Sequence, residues 1–241
     1  PNGATVVALV GGEATVKRLQ RRRGKIHLVP ANERHEPIIA HPADVRIRRT
    51  DFPAAAAWKD AVVGQMTGGI ASLFKANGVE WLQGEGRFTG PNTIAVEGHG
   101  DVTFRSAIVA TGSAPVRPPI PGLDSARVVD STGLLAQTEV PRRLVILGGG
   151  IIGCEFASIF DRFGSEVTIV EMLPTLIPTE DADAGKELLK AFKRRGITVH
   201  LGKQCTAVED GDGQLVVHFG EGERVEADLM LVSVGRAAVV D

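Results

Sequence analysis

The stretch LVILGGGIIGCEFASIF, residues 144–160, decides the fold of this chain. Four apolar residues run into three consecutive glycines, and an apolar pattern with helical spacing follows. A strand that ends in a glycine-rich turn and passes directly into a helix is typical of the first βα unit of a parallel sheet. The pattern continues with a strand predicted at 166–170, a helix at 181–195 and a strand at 197–201.

The glycines of this stretch have the spacing G-x-G-x-x-G, with Gly148, Gly150 and Gly153 at the three positions. Gly148 permits the tight turn, Gly150 lets a pyrophosphate approach the backbone, and Gly153 lets the helix lie close to the strand. The unpaired N–H groups at the start of the helix then face the phosphates. The pattern predicts a dinucleotide site, and the alternative is a glycine-rich turn that serves close packing alone.

An acidic residue ends the second predicted strand, EVTIVE, 23 residues after Gly148. A carboxylate at that position, Glu171, can accept both hydroxyls of the adenosine ribose. It would repel a 2′-phosphate, and the next residues, Met172 and Leu173, supply no arginine to bind one. The sequence therefore predicts a preference for NAD over NADP.

Two side chains of the predicted helix have alternative interpretations. Cys154 lies in the first turn, where a helix N-terminus favours a reactive thiolate, but the surrounding apolar residues favour a buried structural thiol. Glu155 is placed to reach the nicotinamide end of a bound dinucleotide, and the alternative is an ordinary solvent-exposed carboxylate.

The remaining sequence predicts three parts: a β-rich fragment at 1–50, a partial flavin-domain segment at 51–124, and a Rossmann-type NAD-binding domain at 125–241. The predicted fold class is α/β, with a parallel sheet in the last part. The stretch DFPAAAA at 51–57 is interpreted as a junction. The further predicted elements are a hairpin at 5–19, strands at 25–32 and 44–48, a helix at 58–78, strands at 79–82, 93–97 and 102–110, a proline-rich connection at 110–124, and strands at 143–148, 204–209, 214–219 and 228–234.

Composition excludes several function classes. The chain has 241 residues and no apolar stretch long enough for a membrane helix, so no membrane association is predicted. Its two cysteines, 51 residues apart, have neither disulfide-framework nor metal-ligand spacing, which favours a cytoplasmic location and no metal. Residues 1–50 hold ten Lys and Arg against four Asp and Glu, but no aromatic residues accompany the basic run RRRGK, so nucleic-acid binding is not expected.

Three motifs carry a family resemblance: IVATGS at 108–113, VILGGGIIGCEFASIFDRFGSEVTIVEM at 145–172, and LVSVGR at 231–236. In this order they resemble the flavin-dependent pyridine nucleotide-disulfide oxidoreductases, most of all the dihydrolipoamide dehydrogenase branch. The resemblance covers residues 55–236 and implies oxidation of a dithiol through a redox disulfide, FAD and NAD in series. The cofactor-binding residues that it implies are Gly148, Gly150, Ile151, Ile152, Gly153, Glu155, Glu171, Met172, Val208 and Gly235 for NAD, and Ala110, Thr111 and Gly112 on the flavin side.

The chain departs from that family in ways that bear on activity. The family's own FAD-binding glycine motif, its C-x-x-x-x-C pair and its dimerisation domain are not found in this sequence, so no catalytic residue is assigned and FAD binding by this chain is doubtful. We expect NAD binding with little or no dithiol oxidation by the chain alone. Partners would be the missing domains or a second subunit, and the alternative is a non-catalytic module that binds NAD or a partner.

A second resemblance concerns residues 1–48, which resemble the C-terminal end of LexA-type self-cleaving repressors. Lys17 falls where that family has the lysine that deprotonates its serine nucleophile. A lysine serves as such a base only if burial lowers its pKa, and the partner serine is absent from this chain. An ordinary strand lysine is the favoured interpretation, and a peptidase or repressor remnant is the lesser alternative.

Overall fold

The structure is a computed structural model that describes residues 5–10, 13–22, 25–30, 38–40 and 51–240. The chain divides into two compact units, Pro1–Thr50 and Asp51–Asp241. The first unit is an antiparallel sheet whose strands pair in chain order. Its strands are β1 (Thr5–Val10), β2 (Glu13–Arg22), β3 (Lys25–Pro30) and β4 (Ile38–Ala40). The hairpin predicted at 5–19 is confirmed, whereas the strand predicted at 44–48 lies outside the described residues.

The second unit begins with a 25-residue helix, α1 (Phe52–Ala76). The two units divide immediately before the stretch 51–57, which the sequence analysis interprets as a junction, but the helix predicted from residue 58 begins within this stretch. The carboxylate of Asp51 accepts a hydrogen bond from the Ala54 N–H, and Pro53 lies in the first turn, where its missing N–H costs nothing. None of the residues of α1 is buried.

A small antiparallel sheet follows the helix, made of β5 (Gly86–Gly90), β6 (Thr93–Val96) and β7 (Gly100–Thr103). The strand predicted at 79–82 is not formed, and the strand predicted at 102–110 ends at Thr103. Beyond β7 the chain has no ladder partner among the described residues until β8 (Ser113–Pro115), so its β-forming residues, Ile108 and Val109, stay irregular and exposed.

The rest of the unit is an α/β fold with a five-stranded parallel sheet, which confirms the predicted fold class. The strand order is β12-β11-β10-β16-β9. The elements are β9 (Val128–Val129), α2 (Ser131–Leu135), β10 (Arg143–Leu147), α3 (Ile151–Phe163), β11 (Glu166–Glu171), α4 (Ala182–Arg195), β12 (Thr198–Leu201), β13 (Cys205–Gly211), β14 (Gln214–Phe219), β15 (Glu223–Ala227), β16 (Leu229–Val232) and β17 (Arg236–Ala238).

Both faces of the parallel sheet are covered, and alternate residues of its strands enter two separate cores. Leu144 and Ile146 of β10 join a cluster with residues of α3 and α4, including Phe160 and Phe192. Val145 and Leu147 join the other cluster, to which the antiparallel sheet β13-β14-β15 contributes. Because successive side chains of a strand point to opposite faces of the sheet, alternate residues of β10 pack against the helices and against the small antiparallel sheet.

Two features complete this unit. β15 has no counterpart among the predicted strands: it is short, three of the five residues of its sequence ERVEA are charged, and it lies at a sheet edge. β17 pairs antiparallel with β8, which joins the end of the chain to the segment after the Ala-Thr-Gly motif. Among the described residues, no helix combines the length and apolar character that crossing a membrane requires.

Candidate functional site

The candidate site lies at the carboxyl ends of β10 and β16, where the strand order of the parallel sheet reverses. From β10 the chain proceeds outward to β11 and β12, and it then returns to the opposite side of β10 as β16. Ligands of open α/β sheets bind in the crevice outside the strand ends at such a reversal. The glycine-rich turn after Leu147 and the residue after Val232 meet at this point.

Two of the three motif glycines are required by packing within the protein. Gly148 has a φ of +108°, and a Cβ there would lie 2.5 Å from the carbonyl oxygen of Ser233. A Cβ on Gly153 would collide with the carbonyl oxygen of Gly148 and would lie 2.9 Å from the Ser233 hydroxyl. That hydroxyl donates to the Leu147 carbonyl at 3.1 Å. The end of β16 therefore packs directly under the turn and the helix.

Gly150 differs from these two because a Cβ at this position would meet no atom within 4 Å. Its backbone is extended, with φ −72° and ψ −176°, and it is the N-cap of α3. No side chain caps the helix there, so the first amides of α3, from Ile151 to Gly153, are free to donate to an anion. The one motif glycine that packing does not explain thus faces the space in which a phosphate would lie.

Glu171 ends β11 beside the glycine turn, and it is 7% exposed. Its Oε2 accepts the N–H of Gly149 at 2.5 Å, and its Oε1 accepts the N–H of Leu173 at 2.7 Å. Each oxygen of a carboxylate has further lone pairs, so it retains acceptor capacity for hydroxyl groups. The structure therefore brings the predicted acid to the edge of the glycine turn.

Cys154 and Glu155 point in different directions from the first turns of α3. Cys154 is buried, and its thiol donates to the Gly149 carbonyl at 3.3 Å. Burial, with a smaller contribution from the negative charge of Glu171, raises the pKa of this thiol to about 12, which confirms the buried structural interpretation. Glu155 is exposed and lines an open groove with Ile152 and Ser131, so its position is compatible with either of its two interpretations.

The other predicted NAD contacts are split between the site and the core. Ile151 and Met172 are exposed beside the glycine turn, and Gly235 is exposed after β16 with a φ of +125°. Val208 is buried in the core of β13, where its N–H donates to the carbonyl of Pro121 at 2.9 Å. Its contact with a dinucleotide stays a prediction.

The residues predicted on the flavin side form an exposed segment. Ala110, Thr111 and Gly112 are all exposed, and Gly112 has a φ of +75°. The Thr111 hydroxyl donates to the carbonyl of Val239, whose N–H donates to the Gly112 carbonyl at 3.1 Å. Their contact with a flavin stays a prediction.

We call the turn of residues 148–153, with the side chains that contact it, the glycine corner. Sequence reasoning missed three of its residues: Gly149, Leu176 and Ser233. The motif assigns no function to Gly149, although a glycine between the first two motif glycines was a visible signal. Leu176 and Ser233 contact the turn from loops far away in the sequence. The motif LVSVGR contains Ser233, but no local pattern indicates that Ser233 or Leu176 contacts the turn.

Comparisons with known proteins agree with this geometry. The family model for pyridine nucleotide-disulphide oxidoreductases matches residues 8–241. A dihydrolipoyl dehydrogenase of Vibrio cholerae is 38% identical over 218 residues, which are 88% of this chain and 46% of that protein. A dihydrolipoyl dehydrogenase of Halobacterium salinarum is 38% identical over 196 residues, which are 76% of this chain and 41% of that protein. The chain therefore spans about half the length of the curated relatives that it matches.

Solved structures show the same relationship. The HOCl-induced flavoprotein disulfide reductase RclA of Escherichia coli is 32% identical, with a TM-score of 0.72, over 80% of this chain and 44% of that one. A water-forming NADH oxidase of Lactobacillus brevis bound to NADH has a TM-score of 0.57 at 24% identity, over 63% of this chain and 37% of that one, and shows the fold alone. The family match begins at residue 8, inside the segment that resembles self-cleaving repressors, and that second resemblance stays a prediction.

Proposed function

The chain belongs to the pyridine nucleotide-disulphide oxidoreductase family, and from that premise we propose that it binds NAD at the glycine corner as the nicotinamide-nucleotide domain of a dihydrolipoamide dehydrogenase-type enzyme. The observation that carries the proposal is the contrast among the glycines. Packing within the protein accounts for Gly148 and Gly153, but the missing side chain of Gly150 faces open space at an uncapped helix N-terminus.

The residues of the corner fit the parts of the dinucleotide. The amides of α3 from Ile151 to Gly153 donate to the pyrophosphate, which approaches over Gly150. The carboxylate of Glu171 accepts the hydroxyls of the adenosine ribose, and its charge disfavours a 2′-phosphate. Glu155, in the groove along α3, reaches toward the nicotinamide end.

NAD, when bound, supplies the hydride acceptor of the family's reaction, and the protein contributes position and electrostatics. The buried side of the corner is held by Ser233 and by the backbone of β10, so the turn is set before a ligand arrives. Such preorganisation lowers the ordering cost of binding. The chain's own residues therefore bind and orient the nucleotide.

The dithiol half of the family's reaction has no counterpart among the cysteines of this chain. Cys154 belongs to the core on the helix face of the parallel sheet, and Cys205 belongs to the core on the opposite face. Both are free, and burial raises the pKa of both thiols. These observations favour the second candidate function, an NAD-binding module that does not itself oxidise a dithiol.

The hypothesis that this chain is part of an enzyme requires contacts with further protein. The surface of α1 exposes apolar side chains along its length, among them Trp58, Met66 and Leu73, each more than half exposed. A helix that is apolar on most sides normally lies in a core. Further domains of the family fold, or a second subunit, would cover it.

The test is a calorimetric titration of the chain with NAD, beside the variants Gly150→Val and Gly211→Val. We expect Gly150→Val to weaken NAD binding at least tenfold, because its side chain occupies the path of the pyrophosphate without touching any protein atom that the glycine avoids. Gly211→Val is the matched control, since a Cβ at Gly211 on β13 also meets no atom within 4 Å. Equal NAD affinity in the wild type and Gly150→Val would contradict the proposal.

A further inference from the structure

The residue at the centre of the glycine corner, Gly149, is held on three sides. Its N–H donates to Oε2 of Glu171 at 2.5 Å. Its carbonyl accepts the N–H of Ile177 at 2.8 Å and the thiol of Cys154 at 3.3 Å. The peptide groups on both sides of Gly149 are therefore hydrogen-bonded, and neither can reorient without breaking these bonds.

A side chain at Gly149 would find its place already occupied. A Cβ built there would lie 2.6 Å from Cδ2 of Leu176, and 3.1 and 3.2 Å from Cβ and Cγ of Glu171. Leu176 is 1% exposed and belongs to the core on the helix face of the sheet. Its terminal methyl group therefore fills the volume that an alanine at 149 would need, and the same alanine would press on the stem of Glu171.

The segment after β11 holds Leu176 in that place. Ile177 has a φ of +44°, which is rare for a β-branched residue, and this turn directs its N–H at Gly149. From the other side, α4 approaches so closely that a Cβ on Gly185 would lie 2.7 Å from the Leu176 carbonyl oxygen. Leu176 is thus fixed between the helix and the glycine corner.

We infer that Leu176 is a positioning residue for Glu171: together with Gly149 it forms a size-matched pair that fixes the carboxylate and so sets the preference for a ribose without a 2′-phosphate. The inference rests on the proposed NAD site. A smaller residue at 176 leaves space beside Gly149, whose N–H holds the Glu171 carboxylate, and a larger residue at 149 displaces the Glu171 stem. Either change weakens the hydroxyl contacts of NAD and moves the negative charge that disfavours NADP, so the ratio of the two affinities falls.

The experiment measures the dissociation constants of NAD and NADP by calorimetry on the full chain. The variants are Leu176→Val, which removes the terminal methyl group, Gly149→Ala, and the double variant. We expect each single variant to lower the ratio of NADP to NAD dissociation constants at least fivefold. The double variant should regain most of that ratio, because the new Cβ replaces the lost methyl group. Leu144→Val is the matched control, a buried leucine of the same core at the distant end of β10, and it should keep the wild-type ratio.

The outcomes separate this inference from the proposed function. Wild-type protein that binds neither nucleotide would overturn both. Wild-type protein that prefers NAD, with Leu176→Val keeping the same ratio or with losses that add in the double variant, would overturn the inference alone. If circular dichroism shows that Gly149→Ala prevents folding, the affinity ratio of Leu176→Val alone tests the inference.

Discussion

Three of the four glycines between residues 148 and 153 lack a side chain because a neighbouring group occupies the space that a Cβ would need. Gly148 avoids the backbone of Ser233, Gly149 avoids Leu176 and Glu171, and Gly153 avoids Gly148 itself. Gly150 avoids nothing in the protein. At the scale of single residues, one sequence motif therefore combines three packing constraints with one position left open for a ligand.

The thiols of the chain supply a prediction at this scale. Burial raises the pKa of Cys154 to about 12 and also raises the pKa of Cys205, so both are protonated at pH 8 and the reactive thiolate is scarce. We expect the native chain to react with Ellman's reagent at pH 8 at a small fraction of the rate of a free thiol. Unfolding in guanidinium should release two fast thiols. The variants Cys154→Ala and Cys205→Ala show which thiol gives each part of the reaction. Fast reaction of Cys154 in the native chain would contradict the conclusion that this thiol is buried.

At the scale of elements, an ion pair joins the start of β10 to the residue before β16. The guanidinium of Arg143 donates to Oδ1 of Asp228 at 2.7 Å, and the N–H of Arg143 donates to Oδ2 at 2.8 Å. Burial opposes the charged form of Asp228, but the hydrogen bonds from the Arg143 side chain and backbone outweigh it and lower the pKa of this carboxyl. The pair links the two central strands at the end opposite the glycine corner.

This pair predicts how stability depends on pH. Because the pKa of Asp228 is lower in the folded than in the unfolded state, its contribution is complete above the unfolded value of about 3.9 and is lost as pH falls through the folded value. We expect Asp228→Asn to lower the free energy of unfolding in urea at pH 7, and the difference from the wild type to shrink as the pH is lowered from 5 toward 2. Asp212→Asn, in the exposed turn between β13 and β14, is the control. A difference that stays constant over this range would contradict the assignment.

The helices and strands around the site follow from local patterns, and the misplaced elements depend on long-range pairing. The predicted bounds of β10, α3 and α4 agree with the structure within one residue, because alternation, glycine caps and helical spacing are all read within a few residues. The strand expected at 102–110 stops at Thr103, where pairing with β6 ends. A β-forming sequence becomes a strand only where a neighbour supplies the other half of the ladder.

At the scale of the whole molecule, the parallel sheet separates the two cysteines from each other. The parallel sheet, with a core on each face, forms one site at the β10–β16 strand ends. The same sheet separates Cys154 from Cys205, and α1 leaves its apolar surface exposed. This arrangement is consistent with the proposed nucleotide site, and it leaves the apolar surface of α1 uncovered among the described residues.

This organisation predicts the activity of the purified chain. We expect no oxidation of dihydrolipoamide with NAD above the blank, followed by absorbance at 340 nm, in a preparation that binds NAD by calorimetry. The reason is that two buried thiols on opposite faces of a sheet cannot close the disulfide that the reaction needs. The dihydrolipoyl dehydrogenase of Vibrio cholerae serves as the positive control. Oxidation of dihydrolipoamide by this chain alone would contradict the proposal that it binds NAD without oxidising a dithiol.

The sequence by itself determined the glycine corner, the acid at the end of β11 and the parallel α/β fold, since backbone conformations and periodicities of two or 3.6 residues are local properties. The tertiary structure alone decided that Gly149 must be a glycine, that Leu176 lies against Gly149, and that Ser233 supports the turn. These residues are distant in the chain and meet only because β11, β16 and the segment before α4 end at the same edge of the sheet. Close packing among distant segments carries no local signature, so only the assembled fold specifies it.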